Sequence, residues 1–141
     1  MFDNPAKPEI DAFLRRIRTI AILGLSETEG KPSYHVARNL QKFGYRIVPV
    51  NPTASQILGE RAWPDLESAL QNAGPVDAVD VFRRPEYVAA IVDEAIRLKV
   101  PALWLQEGMV DEAAARKARA AGIFTVMDHC MYKARSAMDA G

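Results

Sequence analysis

One cysteine, two histidines and no surplus of either charge are all this 141-residue chain carries of the residues that most often announce a function. A lone Cys130 excludes an internal disulfide and fits a reducing compartment. Lys+Arg and Asp+Glu both total 18, so no global field draws the chain to nucleic acid or to an anionic membrane. No run approaches the roughly 20 apolar residues that a spanning helix needs. The opening Met1–Pro5 has no basic-then-apolar leader. G-x-x-x-x-G-K-[ST] is missing, which argues against a P-loop ATPase, and no Cys/His spacing resembles a zinc site. Internal repeats and low-complexity tracts are absent as well. Together these gaps predict a cytoplasmic soluble protein with no metal, no nucleic acid and no membrane among its partners. Any phosphate site must be local.

What is present is an ordinary globular composition, 49% hydrophobic and 26% charged, in a length that suits one domain over 1–141. Apolar strand-like runs alternate with helix-like stretches. A leading helix over 8–17 carries Ile10, Phe13, Leu14 and Ile17 on one face, and the core follows over 19–135. Strands are expected at 19–23, 46–50, 78–82, 102–105 and 123–127, with a short edge strand near 60–62. Helices are expected at 33–43, 66–72, from Pro85 to about Leu98, at 111–121, and after Cys130. The strands are apolar without alternation, as strands covered on both faces are. The pattern is α/β: a Rossmann-like, doubly wound, mainly parallel sheet of five to six strands flanked by helices. In such sheets ligands bind beyond the C-terminal strand ends, where strand order reverses. The loops to watch are therefore 24–34, 51–54, 82–85, 106–109 and 128–131.

The first of these is the most informative. Ile20-Ala21-Ile22-Leu23 runs straight into Gly24-Leu25-Ser26, and the loop opens an amphipathic helix. A helix N-terminus offers unpaired N–H groups and the positive end of a dipole, the usual seat for a phosphate. Gly24 permits a tight turn, while Ser26, Lys31 and Ser33 add donors and charge. A dinucleotide site wants G-x-G-x-x-G and an acidic residue about 20 positions on. Here Ser26 stands where the second glycine belongs, and the second strand ends in Val50-Asn51-Pro52 with no acid. Both halves of the NAD signature fail.

Six segments together resemble the stand-alone CoA-binding proteins, a family similar to the CoA-binding domain of the succinyl-CoA synthetase α subunit and of NDP-forming acyl-CoA synthetases. They are Ala21–Ser26, Lys31–Tyr34, Val48–Pro52, Val79–Arg83, Trp104–Gly108 and Val126–Met131. The resemblance spans about residues 13–135, and each segment ends a strand or opens a helix. It implies that Gly24, Leu25 and Ser26, with Lys31, Ser33 and Tyr34, hold the phosphates of coenzyme A. By the same resemblance Asn51 and Pro52 border the adenosine ribose, Val81 and Phe82 pack on adenine or pantetheine, and Arg83 meets a phosphate. Gln106, Glu107 and Gly108 then follow the pantetheine arm. His129 stands where the family pattern reads closer to Asp-Arg-Cys.

Plainer readings accompany each assignment. Gly24 also suits an ordinary strand-to-helix turn, Lys31 a solvated surface, Ser33 an N-cap, Tyr34 core packing with its hydroxyl at the rim, and Arg83 and Arg84 plain surface charge. Glu107 reads as a cap or a hydrogen-bond acceptor rather than a base. Trp63 and Trp104 read as packing residues, and Arg116, Lys117 and Arg119 as a solvated helix face. Catalytic residues, as a set, are none: His129 and Cys130 are adjacent in sequence with no third group to orient them. Cys130 is either a buried structural thiol or the partner of a pantetheine thiol in a mixed disulfide. The chain is too short to hold the phosphohistidine and nucleotide-activating parts that the resemblance places outside the CoA domain. The expectation is a protein that binds coenzyme A or an acyl-CoA as carrier, sensor or accessory subunit, without catalysis of its own, partnered by a second copy or an acyl-CoA-using enzyme. The alternatives are an NAD(P)-binding oxidoreductase or redox sensor, and an interaction module with a vestigial pocket. A nucleic-acid regulator lacks its basic stripe.

Overall fold

The computed structural model describes residues 1–140. In chain order the helices are α1 (Lys7–Arg16), α2 (Pro32–Lys42), α3 (Leu66–Ala73), α4 (Val88–Arg97), α5 (Glu112–Ala120) and α6 (Met131–Ala140). The strands are β1 (Thr19–Leu23), β2 (Arg46–Val50), β3 (Gln56–Ile57), β4 (Glu60–Arg61), β5 (Ala78–Val81), β6 (Ala102–Leu105) and β7 (Phe124–Val126). Five of these form one parallel sheet in the order β2-β1-β5-β6-β7. The chain leaves β1 toward β2, then crosses back over β1 to β5, so the order reverses between β1 and β5. That is the crevice in which a doubly wound sheet binds ligands.

The sheet is apolar because both faces are covered. Ile20, Ile22 and Ile47 pack with Phe13, Leu14, Val36, Leu40 and Met131, which α1, α2 and α6 carry on one side. Val48, Val79, Val81 and Leu103 pack with Leu66, Val88, Val92, Ala115 and Ala118 from α3, α4 and α5 on the other. Local chemistry fixes the ends. Asp65 caps α3 by accepting from the Ser68 N–H at 2.7 Å, and Asp111 caps α5 from the Ala114 N–H at 3.0 Å. The N-terminal segment closes one open edge of the sheet. The Asn4 carboxamide donates to the Met127 carbonyl and accepts from its N–H, both at 2.8 Å, as a neighbouring strand would.

Two local expectations need correction. The short strand expected near 60–62 is present as β4, but its ladder partner is β3 rather than the main sheet, which the segment joins only one step on, where Trp63 bridges Val50 in parallel. Strands β3 and β4 form an antiparallel hairpin turned by Leu58 and Gly59 at φ of 53° and 79°. Positive φ at both positions is the geometry of a type I′ turn. The Gln41 side chain holds the turn by donating to the Leu58 carbonyl at 3.2 Å. Ser33 is also not the cap of α2. Lys31 occupies that position with Pro32 in the first turn, and Ser33 sits one residue further in. Smaller shifts occur elsewhere: α1 begins one residue early, and Pro85–Tyr87 forms a 3-10 turn before α4.

Phe13 is the keystone of the α1 side. Its ring lies 4.4 Å from Phe124 at an interplanar angle of 14°, faces Trp104 at 6.3 Å, and is 2% exposed. Phe13→Ala is expected to cost about 3–5 kcal/mol, the usual loss for a buried aromatic that leaves a cavity. Urea unfolding checks this, and a loss under about 1 kcal/mol would contradict the packing described.

Candidate functional site

The crevice is organised by a contact between backbones. Gly24 has φ +85°, and an ideal Cβ there would stand 2.1 Å from the Phe82 carbonyl oxygen and 3.0 Å from Arg83 Cδ. Only glycine lets the loop after β1 lie across the end of β5. The Gly24 N–H donates to the Val50 carbonyl at 3.1 Å, and the Phe82 N–H to the Leu23 carbonyl at 2.8 Å, so three strand ends are tied at one point.

From Gly24 the loop is held in place by its own donors. Ser33 Oγ accepts from the Ser26 N–H at 2.9 Å, and Ser26 Oγ from the Thr28 N–H at 3.0 Å. Asn51 Nδ2 donates to the Leu25 carbonyl at 2.8 Å, while its Oδ1 accepts from the N–H groups of Thr53 and Ala54. Ser33 and Tyr34 precede the first backbone bond of α2, His35 N–H to the Lys31 carbonyl, so their N–H groups point out of the helix end. The first turn of α2 carries no acidic residue to compete with an anion. Lys31 is exposed beside it.

On the far side of Gly24 a cleft of about 520 Å³ opens between the loops after β5 and β6, lined by Phe82, Arg83, Arg84, Tyr87, Gln106 and Met109, with Glu107 at its edge. Arg83 joins the two halves. Its stem lies against Gly24, and its guanidinium sits 4.9 Å from the centre of the Tyr87 ring. The Arg83 N–H also meets Met109 Sδ at 3.3 Å. Behind Gln106 lies a buried carboxyl. Asp80, in the middle of β5, is wholly buried, and its Oδ1 accepts from Gln106 Nε2 at 2.6 Å. Its Oδ2 has no partner. Burial pushes the Asp80 carboxyl up to about 7 from an ordinary 3.8, although the Gln106 amide and the Val81 N–H pull it down.

The rim beyond β6 is fastened as a unit. Asp128 adopts φ 61° and accepts from the Gly108 N–H at 2.8 Å. Trp104 Nε1 donates to the His129 carbonyl at 2.9 Å, and Lys133 pairs with Glu107 at 3.2 Å. Cys130 precedes α6. Burial pushes its thiol up, against the N–H groups of Lys133 and Tyr132, and it is 8% exposed, as suits an inert structural thiol.

Gly24, Ser26, Ser33, Asn51, Phe82, Arg83 and Gln106 are thus brought to one crevice. Others stand differently. Val81 and Leu25 are fully buried, backbone included, and present no surface to the crevice. Tyr34 packs against the α1-side core with Arg38 stacked over its ring. Glu107 is engaged by Lys133. His35 is exposed in the first turn of α2, its ring edge-on to Tyr132. Tyr87, Met109 and Asp80 were missed as site residues. Tyr87 and Met109 carry no motif. Asp80 did carry a signal, an acid inside the apolar run Val79-Asp80-Val81. The arrangement suits an extended ligand, anionic where it meets α2 and amide-bearing or apolar where it enters the cleft.

The chain matches the model of the CoA binding domain family over residues 18–135. It is 38% identical over 128 residues to the uncharacterized protein YneT of Bacillus subtilis, covering 91% of this chain and 93% of that one. A 46-residue stretch, 33% of this chain and 6% of the relative, is 39% identical to an ADP-forming acetate–CoA ligase of Methanocaldococcus jannaschii. A solved Thermus thermophilus protein, cell-free ID.343, superposes with a TM-score of 0.86 at 32% identity, covering 95% of this chain and 99% of that one. The chain belongs to the CoA binding domain family.

Asp80 also makes stability depend on pH. A carboxyl raised in the folded state binds its proton more tightly there than when unfolded, so stability is full below about pH 4 and falls as pH rises toward 7. Above that it levels off. The span is a few kcal/mol, at about 1.4 kcal/mol per pH unit. Unfolding of wild type and Asp80→Asn across pH 4–8 is expected to show the variant gaining relative stability as pH rises. A constant difference across that range would contradict the assignment.

Proposed function

We propose that this member of the CoA binding domain family binds coenzyme A, free or acylated, in the crevice between the loops after β1, β5 and β6. The observation that carries this is the pairing, across Gly24, of an α2 N-terminus free of acids with a cleft holding Arg83, Arg84 and Gln106. The pyrophosphate suits the loop Gly24–Ser26 and the N–H groups of Ser33 and Tyr34, with Lys31 alongside. Asn51 and Pro52 border the ribose. Arg83 lies within reach of either end for a phosphate oxygen, and Gln106-Glu107-Gly108 flank the pantetheine arm. Coenzyme A has the required form: three phosphates at one end and a flexible arm with two amides at the other. The zero net charge fits a ligand bound by local contacts rather than by a field.

The role is that of a carrier, sensor or accessory subunit without catalysis of its own, acting from the cytoplasm alone, as a homodimer or beside an acyl-CoA-using enzyme. Several side chains that could do acid–base or nucleophilic chemistry are placed in ways that support this reading. Cys130 is buried with a raised pKa, His35 is edge-on to Tyr132, Glu107 is ion-paired, and Asp80, though its carboxyl is raised to about 7, has no exposed surface.

Calorimetry with coenzyme A, dephospho-CoA and NAD as parallel ligands tests the proposal. Coenzyme A is expected to bind in preference to the other two, and Lys31→Glu to weaken it about tenfold by reversing charge at the phosphates. Gly24→Asp would be a poor probe, because its Cβ would strike the Phe82 carbonyl and disturb the fold itself. Preference for NAD, or no binding by folded protein, would overturn the proposal.

A further inference from the structure

The mechanism of binding sketched above leaves one conspicuous group unused. Asp80 lies in the centre of the sheet, flanked in register by Ile22 on β1 and Trp104 on β6, with no exposure. A carboxyl in such surroundings disfavours folding unless it is paired, and an apolar pair of similar shape would serve the fold as well or better. Among the described residues its one side-chain partner is Gln106, and its second oxygen has no hydrogen bond. Gln106 is itself 4% exposed, yet it lines the cleft. A carboxamide can turn by half a rotation and exchange its donor and acceptor ends. An ionised Asp80 can only accept, so the carboxamide turns its donor end inward, with Nε2 2.6 Å from Oδ1. Among the described residues Gln106 Oε1 accepts no hydrogen bond, and it is not one of the fully buried atoms without a partner, so it keeps exposure on a residue that lines the cleft.

We infer that Asp80 is a positioning residue: it fixes the Gln106 carboxamide so that Oε1 faces the cleft as an acceptor for an amide N–H of the ligand's pantetheine arm. This rests on the reading of the crevice as a coenzyme A site. It makes the Asp80–Gln106 pair a reader of the arm alone. The adenosine and its phosphates, seated on the far side of Gly24, do not depend on it.

That separation supplies the test. Binding of coenzyme A and of adenosine 3′,5′-bisphosphate, which lacks the arm, is measured by calorimetry for wild type, Asp80→Ala, Gln106→Leu and the double variant. Each single variant is expected to weaken coenzyme A about tenfold, the effect of one hydrogen bond lost from a desolvated site. The double variant should be no worse than either single, because both remove the same contact. Adenosine 3′,5′-bisphosphate should change less than twofold throughout. Asp80→Asn keeps an acceptor for Nε2 and should restore coenzyme A binding to within about twofold of wild type. The inference is overturned if both ligands weaken alike, which is the mark of a structural role. It is equally overturned if Gln106→Leu weakens coenzyme A while Asp80→Ala does not. Should Asp80→Ala not fold, the comparison moves to Asp80→Ser, too short to reach Gln106, with the same outcomes required. Failure of wild type to bind either ligand would instead defeat the coenzyme A assignment itself.

Discussion

Where the loop after β1 crosses the end of β5, the Gly24 backbone passes so close to the Phe82 carbonyl that no side chain fits between them. A parallel sheet with reversed strand order leaves a crevice at that point in any case. Here the close approach decides what the crevice becomes. It pulls the end of β1 against the ends of β2 and β5, through Gly24 to Val50 and Phe82 to Leu23. With the strand ends fixed, α2 must begin directly over the crevice, and Arg83 must lie along the same loop. The loop that leads to α2 and the stem of Arg83, which lines the cleft, thereby meet at a single residue without a Cβ.

The second constraint is electrostatic. The residues beside Asp80 in the sheet, Ile22 and Trp104, are apolar, and placing a carboxyl between them carries a stability cost that grows as pH rises toward 7. Its neighbours relieve only part of this. The Gln106 amide and the Val81 N–H favour the ionised form, while one oxygen stays unpartnered. The rim above is held differently, by polar groups that reach solvent. Asp128 in a left-handed conformation binds the Gly108 N–H, and Glu107 meets Lys133. The buried pair and the exposed clasp together hold the loop after β6 from below and from above.

Much of this was legible in the sequence, and the exceptions share a cause. The parallel sheet showed as apolar runs without alternation, because strands covered on both faces have no polar side to display. The strand–Gly24–helix passage showed because a tight turn and a helix start both leave marks in residue type. Of the hairpin, β4 showed as a short strand near 60–62, but β3 and the turn did not. Its turn uses Leu58-Gly59, where the recognisable signal is Asn-Gly or Asp-Gly, and a leucine at positive φ is held there by Gln41 from another element. Ser33 looked like a cap because serine before an apolar stripe usually is one. Pro32 opens the helix one residue earlier and turns Ser33 inward to Ser26. Tyr87 and Met109 meet only through the pairing of β5 with β6, which no local pattern encodes.

The central claim is that one crevice, spanning α2 and the cleft after β6, takes a single extended ligand. Backbone amide spectra recorded during a coenzyme A titration test it most directly. The account predicts that shifts concentrate at Gly24, Ser26, Ser33 and Tyr34 and, in the same titration with the same midpoint, at Arg83, Gln106 and Gly108. Shifts confined to one of these groups, or centred on the α5 and β7 side of the sheet, would contradict it.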